Sequence, residues 1–240
     1  MGSLALVRHG QASFGAADYD RLSDRGIEQA RALGARWAAD GLTAIYTGPL
    51  RRQVDTARIA RDVAIAAGHA LPEPIELPGL AELPAFELIA RFLPEVARAH
   101  PELAGLVDGS ATGGDRAALM DVAFWKVLEG WSQGRFELGA IEPYAVFVDR
   151  VQGALATMVA RHQAGGARIA AVTSGGPIGL ALKRVLGLDD HAMFRLWRVV
   201  RNASVTDLLW RSRAAGRAGD LSLLAFNQVD HLPPPLHTFR

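Results

Sequence analysis

The run Leu4-Ala5-Leu6-Val7-Arg8-His9-Gly10 decides the fold. Four apolar residues end abruptly in a cation, an imidazole and a glycine. The length and flanks of Leu4–Val7 suit a buried strand, and a strand that empties into polar residues and glycine predicts a site at its carboxyl end. Outward from it, Ser23-Asp24-Arg25-Gly26 supplies a capping residue. Ile27, Ala30, Leu33 and Trp37 then recur at helical spacing up to Gly41. Thr43–Tyr46 reads as a second strand, closed by Gly48-Pro49, and Arg51–Ala67 as a second helix. Residues 71–84 carry four prolines and cannot form one regular element. Two or three helices are expected between Ala85 and Gln133, and another from Pro143 to about Gln163. Arg168–Val172 reads as a third strand and Gly175–Leu186 as a helix. Two β-rich runs, Ala203–Arg211 and Leu221–Asn227, flank a turn over Ala214–Asp220. This alternation predicts an α/β fold, a three-layer α/β/α sandwich with a mostly parallel sheet. We expect one domain over residues 1–240, with a helical insertion at about 72–139 acting as a lid over the active-site edge.

The composition narrows the function. The chain has 240 residues, 50% of them hydrophobic and 21% charged, which is the range of a globular protein with a full core. Lys plus Arg is 26 and Asp plus Glu 25, a net charge of +1, so the basic excess of a nucleic-acid binder is missing. With zero cysteines, disulfides, thiolate metal sites and cysteine nucleophiles are excluded. The opening MGSLALVRHG has neither a basic n-region nor a long apolar h-region, and Leu6 breaks a myristoylation pattern. The longest uncharged apolar stretch, Ile169–Leu182, is too short to span a bilayer. The expectation is a cytoplasmic protein with neither nucleic acid nor membrane as partner.

Three strand exits carry the chemistry. They are Arg8-His9-Gly10, Gly48-Pro49-Leu50-Arg51-Arg52 and Ser174-Gly175-Gly176. A neutral imidazole at His9 is a nucleophile toward phosphorus near neutral pH. The guanidiniums of Arg8 and Arg52 match phosphoryl oxygens. The helix after Ser174 points its N-terminal N–H groups into the same crevice, where they can hold an anion.

In order and spacing the sequence resembles the histidine phosphatase superfamily, which includes cofactor-dependent phosphoglycerate mutase. Leu6–Gly10 is similar to the signature opening. Leu22-Ser23 with Gly26, Gln29 and Ala30 matches the helix that follows. Pro49–Arg52 with Thr56-Ala57 resembles the second signature, Leu80-Ala81-Glu82 falls where the family places its acid, and Val172–Gly176 at the third signature. Asn202–Val205 and Asn227–Leu232 resemble the closing strands. The resemblance implies a phosphoglycerate mutase-like fold and a phosphoric monoester hydrolase acting through a phosphohistidine on His9. Arg8 and Arg52 would hold the phosphoryl group, and Glu82, partly buried, would donate and then accept a proton. Ser174 and Gly175 would bind substrate, with Ser13 as a further contact. No metal and no cofactor is expected. The partner is a small phosphorylated substrate or phosphate, with a homodimer as the one protein assembly considered.

Two departures from the family pattern matter. Ser174 stands where the family has a second histidine, so a neutral donor replaces a cation and turnover should be reduced. Leu83-Pro84 follow Glu82 where the mutases carry Arg and Tyr, which disfavours mutase activity. Three other readings stay open at this stage. One is a phosphate-binding pseudophosphatase. Another is a serine esterase built from Ser174, Asp207 and His231, against which Val172 stands where a glycine is wanted. The last is an interaction surface at Arg195, Trp197, Arg198 and Arg201. Phe86, Phe92, Phe124 and Trp125 are expected in a core.

Overall fold

The computed structural model describes residues 1–13, 20–163, 165–211 and 221–239. Its centre is strand β1 (Gly2–Arg8). β1 lies parallel to β4 (Arg168–Thr173), with Leu4 opposite Ile169 and Arg8 opposite Thr173. On its other side it runs antiparallel to β5 (Val205–Trp210), with Val7 opposite Val205. Strand β2 (Ala44–Thr47) pairs with β4, and β3 (Pro74–Glu76) pairs with β2, both parallel. With β6 (Leu221–Gln228) antiparallel to β5, the sheet order is β3-β2-β4-β1-β5-β6. This is the expected α/β fold with a mixed, mostly parallel sheet. The turn expected over 214–220 lies outside the described residues.

The covering helices follow from local sequence. Ser23 caps α1 (Asp24–Asp40) by accepting the Gly26 N–H, and Gly41 ends it at φ 61, a left-handed conformation that glycine adopts without strain. Leu33 and Trp37 of α1 and Ala57 and Ala60 of α2 (Arg51–Ala66) form a core with Val7, Ile45, Val172 and Val205 from one sheet face. The alternate residues Leu4, Leu6, Ile169 and Ala171 are also buried and point to the other face. There α7 (Gly175–Leu186) packs on β1 and β6, and Gln152 of α6 (Tyr144–Arg161) donates to the Leu180 carbonyl.

Packing divides the chain into two compact units, Met1–Glu82 with Arg150–Arg240, and Leu83–Asp149. The second unit begins at Leu83, after the Pro-rich stretch has given Pro74–Glu76 to the sheet edge. The second unit is built on α3 (Ala85–Ala99), α4 (Ala104–Val107) and α5 (Gly113–Ser132). Phe92 stacks on Phe136 with ring centroids 4.2 Å apart, and Trp131 donates to the Glu142 carbonyl at 2.9 Å. Phe92 is buried as expected, but Phe86 is 60% exposed and Phe124 and Trp125 are half-buried. No described helix is long and apolar enough to cross a membrane.

Helix α8 (Asp190–Trp197) has no counterpart in the sequence reading. Asp189 caps it by accepting the Ala192 N–H, and Met193 and Trp197, four residues apart, are its buried side chains. Trp197 therefore faces inward, and the basic run around it is no stacking platform.

Candidate active site

The parallel strands β1, β2 and β4 end at one edge of the sheet, and β5 begins there. His9 leaves β1 with its main chain held on both sides. Its N–H donates to Thr173 O at 2.9 Å, and its carbonyl accepts from the Ala203 N–H and from Asn202 Nδ2, each at 3.3 Å. Gly10 follows because the Gly26 carbonyl oxygen lies 2.5 Å from where a Cβ would stand. The Thr56 hydroxyl accepts the Gly10 N–H at 3.0 Å and donates to the Arg52 carbonyl at 2.6 Å.

The tautomer of His9 is fixed by its neighbours. Nδ1 lies 2.7 Å from the Gly10 carbonyl, an oxygen that can only accept, so Nδ1 carries the proton. Arg52 Nε donates to Nε2 at 3.1 Å, so Nε2 keeps its lone pair. The ring is 5% exposed. Burial holds its pKa well below the ordinary 6.5, Arg52 and then Arg8 push it the same way, and the Gly10 bond opposes them. The site thus contains a neutral imidazole with an unprotonated Nε2 beside a guanidinium.

Both expected clamp arginines hold protein oxygens. Arg52 Nη1 donates to Asp20 Oδ1 at 2.6 Å, while Asp20 Oδ2 accepts the Arg51 N–H at 2.8 Å. Asp20 therefore neutralises Arg52 and caps the first turn of α2 at once. Arg8 Nη1 donates to the carbonyls of Val200 and Phe239. Arg51 and Arg58 are exposed.

The other half of the edge lies at the start of α7. Ser174 is fully buried, and its hydroxyl oxygen accepts from Gln53 Nε2 at 2.8 Å. Gln53 also donates to the Leu80 carbonyl at 3.2 Å, where Thr173 Oγ1 donates at 2.7 Å. Two residues on, Glu82 is half-buried and its Oε2 accepts the Gly176 N–H at 3.2 Å. The Glu82 carboxyl group thus meets one of the unpaired backbone N–H groups at the start of the helix. Gly175 is required there, since a Cβ would stand 2.1 Å from Trp197 Nε1.

The structure therefore brings His9 and Arg52 into direct contact, with Arg8 close enough to act on the ring. Gln53, the residue after Arg52, reaches Ser174, and Glu82 meets the next turn of α7. Ser13 stands apart: its N–H donates to Arg21 O, and among the described hydrogen bonds its hydroxyl joins none of these groups. The serine-esterase set is not assembled. Ser174 is held by Gln53, Asp207 pairs with Arg36 at 3.2 Å, and His231 Nε2 donates to Ala203 O at 3.1 Å. Asp20, Gln53, Thr56 and Asn202 escaped sequence reasoning as site residues, although Thr56 lies within the second signature. Among the described residues no cluster of three His, Asp or Glu side chains could hold a metal ion.

Solved structures share this architecture. A protein of Bacillus stearothermophilus, YhfR, is 20% identical, with 97% of this chain and 100% of that one covered at a TM-score of 0.66. Phosphoglycerate mutase from Bacillus anthracis str. Sterne is 17% identical over 95% of this chain and 94% of that one, TM-score 0.62. A mutant phosphoserine phosphatase from Entamoeba histolytica in complex with phosphoserine is 18% identical over 97% of this chain and 100% of that one, TM-score 0.58. At these identities the likeness is one of fold. No curated protein matches the sequence. The sequence profile of the histidine phosphatase superfamily (branch 1) does match, at residues 4–112 and 86–216, and the chain belongs to that family.

Proposed function

We propose that this chain is a phosphoric monoester hydrolase that works through a phosphohistidine on His9. The observation that carries the reading is the fixed tautomer: a buried, neutral His9 whose Nε2 lone pair lies 3.1 Å from Arg52 Nε. In the first step Nε2 attacks the phosphorus in line, the N–P bond forms and the P–O bond to the leaving group breaks. Arg8 and Arg52 exchange their protein oxygens for phosphoryl oxygens, Arg52 Nε–H turns from Nε2 to a phosphoryl oxygen and so frees the lone pair, and Glu82 gives its proton to the departing oxygen. In the second step Glu82 takes a proton from water, the water oxygen attacks phosphorus and the N–P bond breaks. The substrate is a small phosphorylated molecule, and the steps call for no metal or cofactor, so a chelator leaves the rate unchanged.

Turnover is reduced on this reading. Ser174 offers a neutral hydrogen bond in place of a cation, a difference of about 1–2 kcal/mol, or roughly tenfold to thirtyfold in rate. A strict oxyanion hole would make the loss ~10²-fold. A second reading, a phosphate-binding pseudophosphatase, is favoured by one observation: two of the Arg52 donors are already engaged, by His9 and by Asp20.

Trapping with an aryl phosphate separates the two. Acid-labile label on His9, absent from His9→Ala, supports the hydrolase, and phosphate binding without label supports the pseudophosphatase. Ser174→His is expected to hydrolyse faster than the natural sequence. Activity that survives His9→Ala would overturn the assignment.

A further inference from the structure

Glu82 lies on the loop between the 3-10 turn Pro78–Leu80 and the second unit, where a carboxylate would ordinarily wander. Here four successive carbonyls are held. Arg150 Nη1 donates to Gly79 O at 3.1 Å and to Ala81 O at 2.7 Å, and its Nη2 donates to Glu82 O at 3.1 Å. The carbonyl between them, Leu80 O, takes the bonds from Gln53 and Thr173. Gly79 itself lies against helix α6, with the Arg150 carbonyl oxygen 2.5 Å from where its Cβ would be.

A planar guanidinium is suited to this, because it presents several N–H groups in a fixed fork. One side chain thus fixes the main chain on both sides of Leu80, and only the side-chain torsions of Glu82 remain to aim its carboxyl group. A proton donor displaced by about 1 Å loses much of its effect.

We propose that Arg150 is a positioning residue for Glu82, setting the reach of the acid to the leaving-group oxygen. The proposal rests on the hydrolase reading above. It predicts a loss that depends on what departs. A leaving group that is stable as an anion needs little help from an acid, whereas a basic one needs the proton.

The test is kcat/KM of the natural sequence, Arg150→Gln, Arg150→Lys and Glu82→Gln over aryl phosphates of graded leaving-group acidity. For Arg150→Gln the expected loss is about tenfold or more with phenyl phosphate and under about threefold with a dinitrophenyl phosphate. Arg150→Lys, which keeps a cation but not the fork, should fall between, and it serves if the glutamine variant does not fold. The double variant Arg150→Gln/Glu82→Gln should lose no more than Glu82→Gln alone. An equal loss with every leaving group, or additive losses in the double variant, would overturn the proposal. If the natural sequence forms no phosphohistidine, the hydrolase reading fails and takes this role with it. If it does form one and Arg150→Gln slows all substrates alike, only the role of Arg150 fails.

Discussion

Arg52 and His9 share one hydrogen bond, Nε to Nε2 at 3.1 Å, and that bond, with the Nδ1 contact to the Gly10 carbonyl, leaves Nε2 as the nitrogen without a proton. The arginine precedes the substrate, stands next to the lone pair and disfavours its protonation.

The first prediction concerns pH. Burial, then Arg52 and Arg8, hold His9 well below 6.5, so the ring stays neutral through that value. The acid limb of kcat/KM that belongs to His9 should therefore lie well under 6.5. Nitrogen NMR should report a protonated Nδ1 and a bare Nε2 at about pH 6. A His9 that titrates at its ordinary value would contradict the arrangement.

Stability should respond to a second histidine as well. His231 is pushed down from 6.5 to about 4, by burial first and then by Arg36. Its folded pKa is depressed, so its contribution is present above 6.5 and is lost as pH falls toward 4, where the unfolded chain binds more protons. The slope is at most about 1.4 kcal/mol per pH unit. His231→Gln should flatten it in urea titrations at a series of pH values. Asp40 and Asp207 are raised above 3.8, chiefly by burial. Their contribution has the opposite sign: it is present below 3.8 and lost as pH rises through their folded values.

Gly175 and Trp197 should be coupled. Gly175→Ala drives a methyl into the indole and is expected to destabilise by about 1–3 kcal/mol. In the background of Trp197→Leu, where the indole is gone, the same change should cost much less. Equal costs in both backgrounds, read by denaturant melts, would mean that the strain is relieved elsewhere.

On the hydrolase reading, Asp20 competes with substrate for Arg52. Its Oδ1 occupies Nη1 at 2.6 Å, the kind of contact a phosphoryl oxygen would make. Asp20→Asn should bind inorganic phosphate or vanadate several-fold more tightly by calorimetry. Weaker binding would make Asp20 a brace for the arginine instead of a rival for it.

Where the determinants are local, the sequence was enough to read them. Strand β1, the Ser23 and Gly41 ends of α1 and the span of α7 all follow from capping and periodicity. The tripeptide Arg8-His9-Gly10 at a strand exit was sufficient to place the buried imidazole at the sheet edge. Helix α8 was legible in principle, from Asp189 as a cap and Met193 and Trp197 four residues apart, but the arginines in and after it suggested a surface. Strand β3 was hidden because Pro74 argues against a strand, and only a sheet edge tolerates it. Asp20, Asn202 and Arg150 act on residues more than 30 positions away, and no local pattern announces such a partner. Phe86 shows the converse: its hydrophobicity suggested a core position, and it is exposed.

The seat of His9 is made chiefly of main-chain bonds to β4 and to the segment before β5, with the Asn202 side chain as a third holder. A group mounted that way keeps its place when surrounding side chains are exchanged. The residues to which the hydrolase reading gives charge and proton supply, at positions 52, 82 and 174, come instead from helix starts and a loop. On that reading, exchanges at those positions retune the reaction and leave the anvil on which the chemistry is struck undisturbed.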